Sequence, residues 1–255
     1  MIRAAIVGLG RWGRTLVNSV QDKSDKLRFT HAVSRDPAHV CDFTEQHGLG
    51  AVGALDAVLD NRDIDAVVLA TPHSLHLEQI LACARARKAV LCEKPLAMTK
   101  ADALRAVEAC REASVVLGTG TDKRFFPAMQ ALAQIAASGE LGRLLHLEGN
   151  FSNEVAAAQF SGWRHSADES PAGGLTGTGI HVLDSFVHIA GPRAASPRSF
   201  CRTSRHPIRS TPCPSCSNSR TGSAACSRRC ARRRPFGAYM CSAATVPPKC
   251  SAAPS

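Results

Sequence analysis

Long apolar stretches are missing from this 255-residue sequence. No run approaches the roughly 18 consecutive apolar residues that a membrane-spanning helix needs. The chain also starts directly with a strand-like segment, without the features of a secretory signal. These absences argue against a membrane partner and against secretion, so we expect a cytoplasmic protein.

Acidic residues are absent from the last quarter of the chain. Residues 192–255 contain eleven arginines and one lysine but no aspartate or glutamate. Residues 1–191 hold the other 19 basic residues and all 21 acidic ones, so the formal net charge of +10 comes entirely from the tail. The first three quarters therefore have the composition of an ordinary enzyme, and we expect no nucleic-acid partner.

A glycine-rich turn follows the first apolar segment. Ala4–Val7 predicts a buried strand and Arg14–Val20 a helix, and between them Gly8, Gly10 and Gly13 have the spacing G-x-G-x-x-G. In dinucleotide-binding folds the first glycine permits the turn, the second leaves room for a pyrophosphate and the third lets helix and strand pack closely. The alternative is a glycine-rich turn that binds nothing; the strand before it and the helix after it favour the dinucleotide site.

Strand and helix patterns alternate over the next hundred residues. Besides the first strand, strands are predicted at 27–33, 64–70, 89–92 and 114–118, and helices at 51–59, 75–87 and 102–113. Such alternation is typical of an α/β fold with a doubly wound parallel sheet. Ligands of these sheets lie at the carboxyl ends of the strands, where Thr71, Glu93 and Lys94 fall.

The choice between NAD and NADP depends on the residues that close the second strand. An acid at this position would bind the 2′-hydroxyl of NAD, but Ser34 and Arg35 occupy it. An arginine fork suits a 2′-phosphate, which favours NADP slightly over NAD. The alternative, in which Arg35 is only a solvated loop residue, stays open.

Six motifs in chain order carry a family resemblance. They are Gly8-Leu9-Gly10-Arg11-Trp12-Gly13, Ala70-Thr71-Pro72 with His76, Glu93-Lys94-Pro95, Lys123-Arg124-Phe125-Phe126-Pro127, Gly162-Trp163-Arg164 and the segment 173–184. Together they resemble the glucose–fructose oxidoreductase / inositol dehydrogenase (Gfo/Idh/MocA) family of NAD(P)-dependent oxidoreductases, over about residues 1–207. The resemblance implies an N-terminal Rossmann domain, residues 1–120, whose cofactor-binding residues come from the first three motifs with Ser34 and Arg35.

The resemblance also implies the catalytic residues. To move a hydride from a secondary alcohol, some group must accept the hydroxyl proton, and a cation must stabilise the developing charge on oxygen. In this family's pattern His181 is the acceptor and Lys94 the cation. The implied substrate is a small sugar, polyol or related cyclic alcohol, with Lys94, Arg124, Trp163, Arg164, His181 and Asp184 as its ligands. For His181 the alternative is a histidine buried in the core for structural reasons.

One departure from the family pattern concerns position 177. The family often has an aspartate four residues before the catalytic histidine, but here that residue is Gly177. His181 thus lacks an orienting carboxylate at the expected place. This loss leaves a second possibility, a non-catalytic regulator that binds the dinucleotide, as some relatives do; the presence of Lys94 and His181 favours an enzyme.

The tail admits two interpretations. Cys213, Cys216, Cys226 and Cys230 have spacings that could form a zinc site, and Arg228, Arg229 and 232–234 could bind phosphate. No hydrophobic periodicity supports either. A segment dominated by Ser, Arg, Pro, Cys and Ala instead indicates GC-rich DNA translated out of frame.

The frame hypothesis can be examined from the codons. In the shifted frame each new codon takes the wobble base of one residue and the first two bases of the next. With permissible wobble bases chosen, 208–222 can be read as PLDTVSVLFEFANG and 235–252 as FWRIYVFGSDGAAEVLG. These are alternating strand patterns, and the first ends in an Asn-Gly turn. One base lost near the codons of Pro207 and Ile208 would explain the change. We therefore expect residues 121–207 to be the first part of an α+β substrate and oligomerisation domain, incomplete here, and 208–255 to be a disordered basic tail. Intact relatives are expected to be homo-oligomers; for this chain the oligomeric state stays open.

Overall fold

The computed structural model describes residues 1–151 and 162–191. Its described residues form two units, one from 1–121 with 162–180 and the other from 122–151 with 181–191. The predictions for the tail, a zinc site or an out-of-frame disordered segment, lie outside the described residues. None of the helices in the described ranges is both long and apolar enough to cross a membrane.

Six parallel strands form the sheet of the first unit. Its order is β3-β2-β1-β4-β5-β6, the order of a dinucleotide-binding Rossmann fold, and the direction of winding reverses between β1 and β4. The strands are β1 Ile2–Val7, β2 Leu27–Val33, β3 Gly50–Val52, β4 Ala66–Leu69, β5 Ala89–Cys92 and β6 Leu117–Thr119. The predicted α/β class and doubly wound parallel sheet are thus confirmed.

Helices connect the strands and cover both faces of the sheet. In chain order the α-helices of this unit are α1 Arg11–Val20, α2 Cys41–Gln46, α3 Asp56–Leu59, α4 His76–Arg85 and α5 Lys100–Glu112. One buried cluster, which includes Ile64, Leu69 and Ile80, packs with α4 and α5. The other includes Val17 and Phe29 and packs with α1 and β2. Because alternate strand residues feed each cluster, both faces of the central strands are apolar.

One predicted helix is wrong in part. We expected a single helix over 51–59, but the chain forms β3 at Gly50–Val52 before the short helix α3. β3 is a three-residue edge strand whose residues are exposed or half-buried. Among the strands that the structure describes, it pairs with the end of β2 alone, and no run of buried apolar residues marks it in the sequence.

The second unit contains two described α-helices. α6 spans Pro127–Ser138 and starts with proline at its first position, where the missing amide costs no hydrogen bond. α7 spans Ile180–Ala190, and His181 and Ser185 are its buried residues. A short 3-10 helix, Asp122–Phe125, precedes α6. These elements place Asp122, Arg124, His181 and Asp184 in one unit.

Candidate active site

The glycine turn lies between β1 and α1, at the point where the sheet changes direction. Gly8 has φ +94°, and a Cβ there would lie 2.7 Å from the carbonyl oxygen of Ala70. A Cβ on Gly13 would lie 1.9 Å from the Gly8 oxygen, whereas one on Gly10 would meet nothing within 4 Å. Gly8 and Gly13 are therefore required by the protein's own backbone, and Gly10 leaves open space in front of the helix N-terminus.

A cavity of about 860 Å³ opens at this turn, within the size range of ligand sites. Most of the predicted cofactor residues line it: Gly8, Leu9, Gly10, Arg11, Trp12, Ser34, Arg35, Ala70, Thr71 and Pro72. Other residues line the cavity that no sequence motif singled out: Arg14, His39, Leu55, Leu75 and Gln79. The tertiary fold brings these residues to the cavity wall.

Basic side chains concentrate at the end of the cavity formed by β2. Arg14 and His39 line the cavity together with Arg35. Asp36 lies there too, but its carboxylate accepts a hydrogen bond from the His39 amide at 3.3 Å. The backbone of a short 3-10 helix, Ala38–Val40, thus holds the carboxylate of Asp36, and this end of the cavity presents mainly positive charge. Such a setting suits a phosphate group.

The remaining predicted cofactor residues, Gly13, His76, Glu93 and Lys94, are not among the residues that line the cavity. The ring of His76 is fully buried and contacts the carbonyl oxygens of Pro95 at 2.8 Å and Thr71 at 3.1 Å. Burial is the main cause that lowers its pKa, so the neutral ring is favoured. The structure thus places His76 as a support for the Thr71 wall.

Glu93 and Lys94 follow β5. The Glu93 carboxylate accepts a hydrogen bond from the indole of Trp12 at 2.6 Å, which links the glycine turn to this strand end. The Lys94 ammonium donates to the carbonyl oxygen of Gly177. Gly177 occupies the position at which the family often has an aspartate, and here its backbone carbonyl oxygen accepts the hydrogen bond from Lys94.

Residues 162–180 contribute Trp163 and Arg164 to the cavity wall. The Arg164 guanidinium stacks over the Trp163 ring at 4.1 Å. Burial, and then the charge of Arg11, lower the pKa of Arg164. An anion bound in the cavity would offset both the loss of hydration of the Arg164 guanidinium and its repulsion from Arg11. Arg164, predicted as a substrate ligand, therefore lies on the wall of the same cavity as the predicted cofactor residues.

Glu169 binds this segment to His73 and Ser74, which follow β4. Glu169 accepts hydrogen bonds from the Ser74 amide at 3.1 Å and from the Ser74 hydroxyl. Its backbone oxygen lies 2.6 Å from Nδ1 of His73, whose ring meets Trp163 edge-on at 5.0 Å. Burial opposes ionisation of Glu169, but the hydrogen bonds from Ser74 outweigh it and lower the pKa.

We predict that Glu169→Ala weakens this attachment. The substitution should lower the free energy of unfolding by about 1 kcal/mol, since the carboxylate is only half-buried. Because the folded-state pKa is depressed, the contribution is present above the ordinary glutamate pKa and is lost as pH falls through the lowered value. Urea unfolding at pH 7 and at acidic pH measures it. The exposed neighbour in Asp168→Ala serves as control; equal stability of both variants would contradict the prediction.

In the second unit, two predicted substrate ligands bind each other. The Arg124 guanidinium donates to both carboxylate oxygens of Asp184, from Nε at 2.9 Å and from Nη2. This hydrogen bonding is the first cause that raises the pKa of Arg124. His181 is 8% exposed, and its Nδ1 lies 3.6 Å from Oδ1 of Asp122, a residue that the sequence reasoning did not single out.

Family models match both parts of the chain. A model described as "Oxidoreductase family, NAD-binding Rossmann fold" matches residues 2–121, and the GFO/IDH/MocA C-terminal domain matches residues 129–236. The second match extends past residue 207, where we expected the resemblance to end.

Individual proteins are similar over shorter shares of their length. The 1,5-anhydro-D-fructose reductase of Ensifer adhaerens is 38% identical over 148 residues, which is 58% of this chain and 44% of that protein. The crystal structure of the WlbA dehydrogenase from Bordetella pertussis, in complex with NADH and UDP-GlcNAcA, has a TM-score of 0.66 and 26% identity over 75% of this chain and 56% of that one. The aldose–aldose oxidoreductase of Caulobacter crescentus, complexed with glycerol, has a TM-score of 0.65 and 28% identity over 74% and 58%.

The chain spans about half the length of the curated relatives that it matches. Two successive family models nevertheless cover most of its residues, and the strand order and glycine turn are those of an NAD-binding Rossmann domain. The chain belongs to the GFO/IDH/MocA family of NAD(P)-dependent oxidoreductases.

Proposed function

We propose that this protein binds a nicotinamide dinucleotide, with NADP favoured over NAD, and interconverts an alcohol of a sugar or polyol with the corresponding carbonyl. The observation that carries the proposal is the cavity at the glycine turn. Gly10 leaves space for a pyrophosphate at the start of α1, and the half-buried Arg164 together with the exposed Arg11 favours an anion there. When bound, the nicotinamide would supply the hydride acceptor or donor.

Two residues of this chain are assigned to the proton and charge chemistry. His181 accepts the proton of the substrate hydroxyl in the oxidative direction and returns it in the reductive one. Lys94 orients the substrate oxygen and stabilises its negative charge. Asp184 and Arg124 form one bidentate pair, which we assign to the substrate side of His181 because Asp184 lies about one helical turn after it.

The preference for NADP is supported by the side chains at the end of β2. Arg35 and Ser34 line the cavity with Arg14 and His39, and the only acid among these neighbours, Asp36, accepts a hydrogen bond from a backbone amide. A 2′-phosphate gains charge-assisted hydrogen bonds there, and a 2′-hydroxyl does not.

Arg35→Ala is expected to discriminate the two cofactors. Loss of one charge-assisted contact, about 1.5–3 kcal/mol, should weaken NADPH binding by about 10- to 100-fold. NADH binding should change by less than about threefold, because its ribose carries no phosphate for Arg35 to bind. Fluorescence titration with each cofactor measures both constants. Arg62→Ala is the exposed control, and an equal loss for NADH and NADPH would refute the assignment.

A second candidate function is a regulator that binds the dinucleotide without turning it over. The observation that favours it is Gly177, whose carbonyl oxygen rather than a carboxylate receives the Lys94 ammonium. Turnover in a protein whose reading frame is restored, as proposed below, separates the two functions: an enzyme loses it on Lys94→Ala, whereas a regulator shows none in either form and keeps its dinucleotide affinity.

We further propose that the sequence from about residue 208 is read out of frame, so that activity of this chain is impaired. The support is compositional: seven of the eleven cysteines and all of the excess positive charge lie beyond residue 191. Resequencing the gene across codons 207 and 208 tests the proposal, and an independently confirmed unbroken frame would end it.

A further inference from the structure

His181 has a carboxylate beside it that comes from a distant part of the chain. The imidazole is on the first turn of α7 and is 8% exposed, and its Nδ1 lies 3.6 Å from Oδ1 of Asp122. Asp122 is the first residue of the 3-10 helix that precedes α6. The two residues belong to the same unit of the structure, although 59 positions separate them in the sequence.

The two oxygens of Asp122 have different neighbours. Oδ2 accepts a hydrogen bond from the Lys123 ammonium at 3.1 Å, while Oδ1 faces the His181 ring. A second carboxylate, Asp184, lies on α7 itself, three residues after His181. Both of its oxygens accept hydrogen bonds from Arg124. Asp184 is therefore committed to the guanidinium, and Asp122 is placed to act on the imidazole.

The chemistry of such a pair is well defined. A neutral imidazole carries one proton, which can reside on either ring nitrogen. A carboxylate beside Nδ1 holds the proton on that nitrogen, leaves the lone pair on Nε2 and stabilises the imidazolium that forms when Nε2 takes up a proton. A histidine that accepts a substrate proton through Nε2 needs this tautomer.

We propose that Asp122 is a positioning residue for His181, which fixes the Nδ1-protonated tautomer of its ring. The inference rests on the proposed role of His181 as proton acceptor. Within the second unit, the carboxylate next to the His181 ring is supplied from the 3-10 helix at Asp122.

Nitrogen NMR of the full chain tests the proposal without requiring turnover. The histidines are labelled with ¹⁵N, and the His181 signals are identified by their loss in His181→Gln. At about pH 8.5, where imidazoles are neutral, we expect a protonated-type shift for Nδ1 and an unprotonated-type shift for Nε2. Asp122→Ala should move the two signals toward each other as the tautomers mix. Asp122→Glu should restore the separation.

Asp60→Asn, which removes an exposed carboxylate elsewhere, should leave the His181 signals in place. An unprotonated Nδ1 in the unmodified chain overturns the proposal, even if Asp122→Ala does not fold. So does a spectrum that Asp122→Ala leaves unchanged. NADPH binding, measured on the same samples, reports separately on the proposed function: its absence refutes that function, whereas the nitrogen shifts report on the Asp122–His181 pair alone.

Discussion

Gly13→Ala is expected to destabilise the Rossmann unit by at least about 3 kcal/mol, the upper range for forcing extra atoms into a packed core. The new Cβ would lie 1.9 Å from the carbonyl oxygen of Gly8. That oxygen belongs to the backbone of the turn between β1 and α1, so no side-chain rotation can relieve the overlap. Urea unfolding followed by circular dichroism measures the loss.

Gly10→Ala provides the matched comparison at the same turn. A Cβ on Gly10 would meet nothing within 4 Å, and the residue has an extended backbone with φ −67° that alanine adopts without strain. Stability should therefore stay within about 0.5 kcal/mol of the unmodified protein, as for other substitutions that meet no neighbour. Dinucleotide affinity should fall sharply, because the methyl group occupies the space left for the pyrophosphate. Wild-type stability of Gly13→Ala, or unchanged NADPH affinity of Gly10→Ala, would show that these glycines do not have the assigned roles.

Restoring one base near codons 207 and 208 is expected to raise substrate-dependent NADPH turnover by at least about a thousandfold, since enzymes exceed uncatalysed rates by far larger factors. The physical reason is that α7, which carries His181, needs an apolar partner surface to hold its position. Phe125, Phe151 and Leu183 in its unit are exposed large apolar residues. We expect the strands encoded in the restored frame to pack against this unit.

Lys94→Ala in the frame-restored protein tests whether the gained activity comes from the assigned residues. Loss of the cation beside the reacting oxygen should lower kcat by about 10²–10³-fold while NADPH affinity stays within a few-fold. Lys100→Ala, at the start of α5 and exposed, is the control. A restored protein without turnover, or a Lys94→Ala variant with full turnover, would contradict the enzymatic proposal.

Local patterns in the sequence were sufficient to predict some of the strands and the glycine turn. β2 and β5 were predicted to the residue. β5 is a compact apolar run between Lys88 and Glu93, and in β2 the apolar Leu27 and Phe29 alternate with polar residues. The turn geometry at Gly8 agrees with its motif for a similar reason: only a residue without a side chain tolerates φ +94° so close to Ala70. A conformation can be predicted from the sequence when its requirements fall on residues within one short segment.

Features that depend on distant contacts escaped prediction. The edge strand β3 has few buried residues of its own and forms because β2 offers it hydrogen-bonding groups. The Glu169–Ser74 attachment and the Asp122–His181 pair join residues 95 and 59 positions apart, and neither has a motif. The contacts of the buried His76 ring with the carbonyl oxygens of Thr71 and Pro95 were likewise not predicted; its assignment to the cofactor, which the family resemblance implies, stays a prediction.

The central claim is that a pyridine nucleotide binds in the cavity at the glycine turn, and isothermal titration of the purified full chain with NADPH tests it most directly. The account predicts saturable binding of one NADPH per chain, weakened by Gly10→Ala and by Arg35→Ala. Absence of measurable affinity for both NADPH and NADH in the folded protein would contradict it.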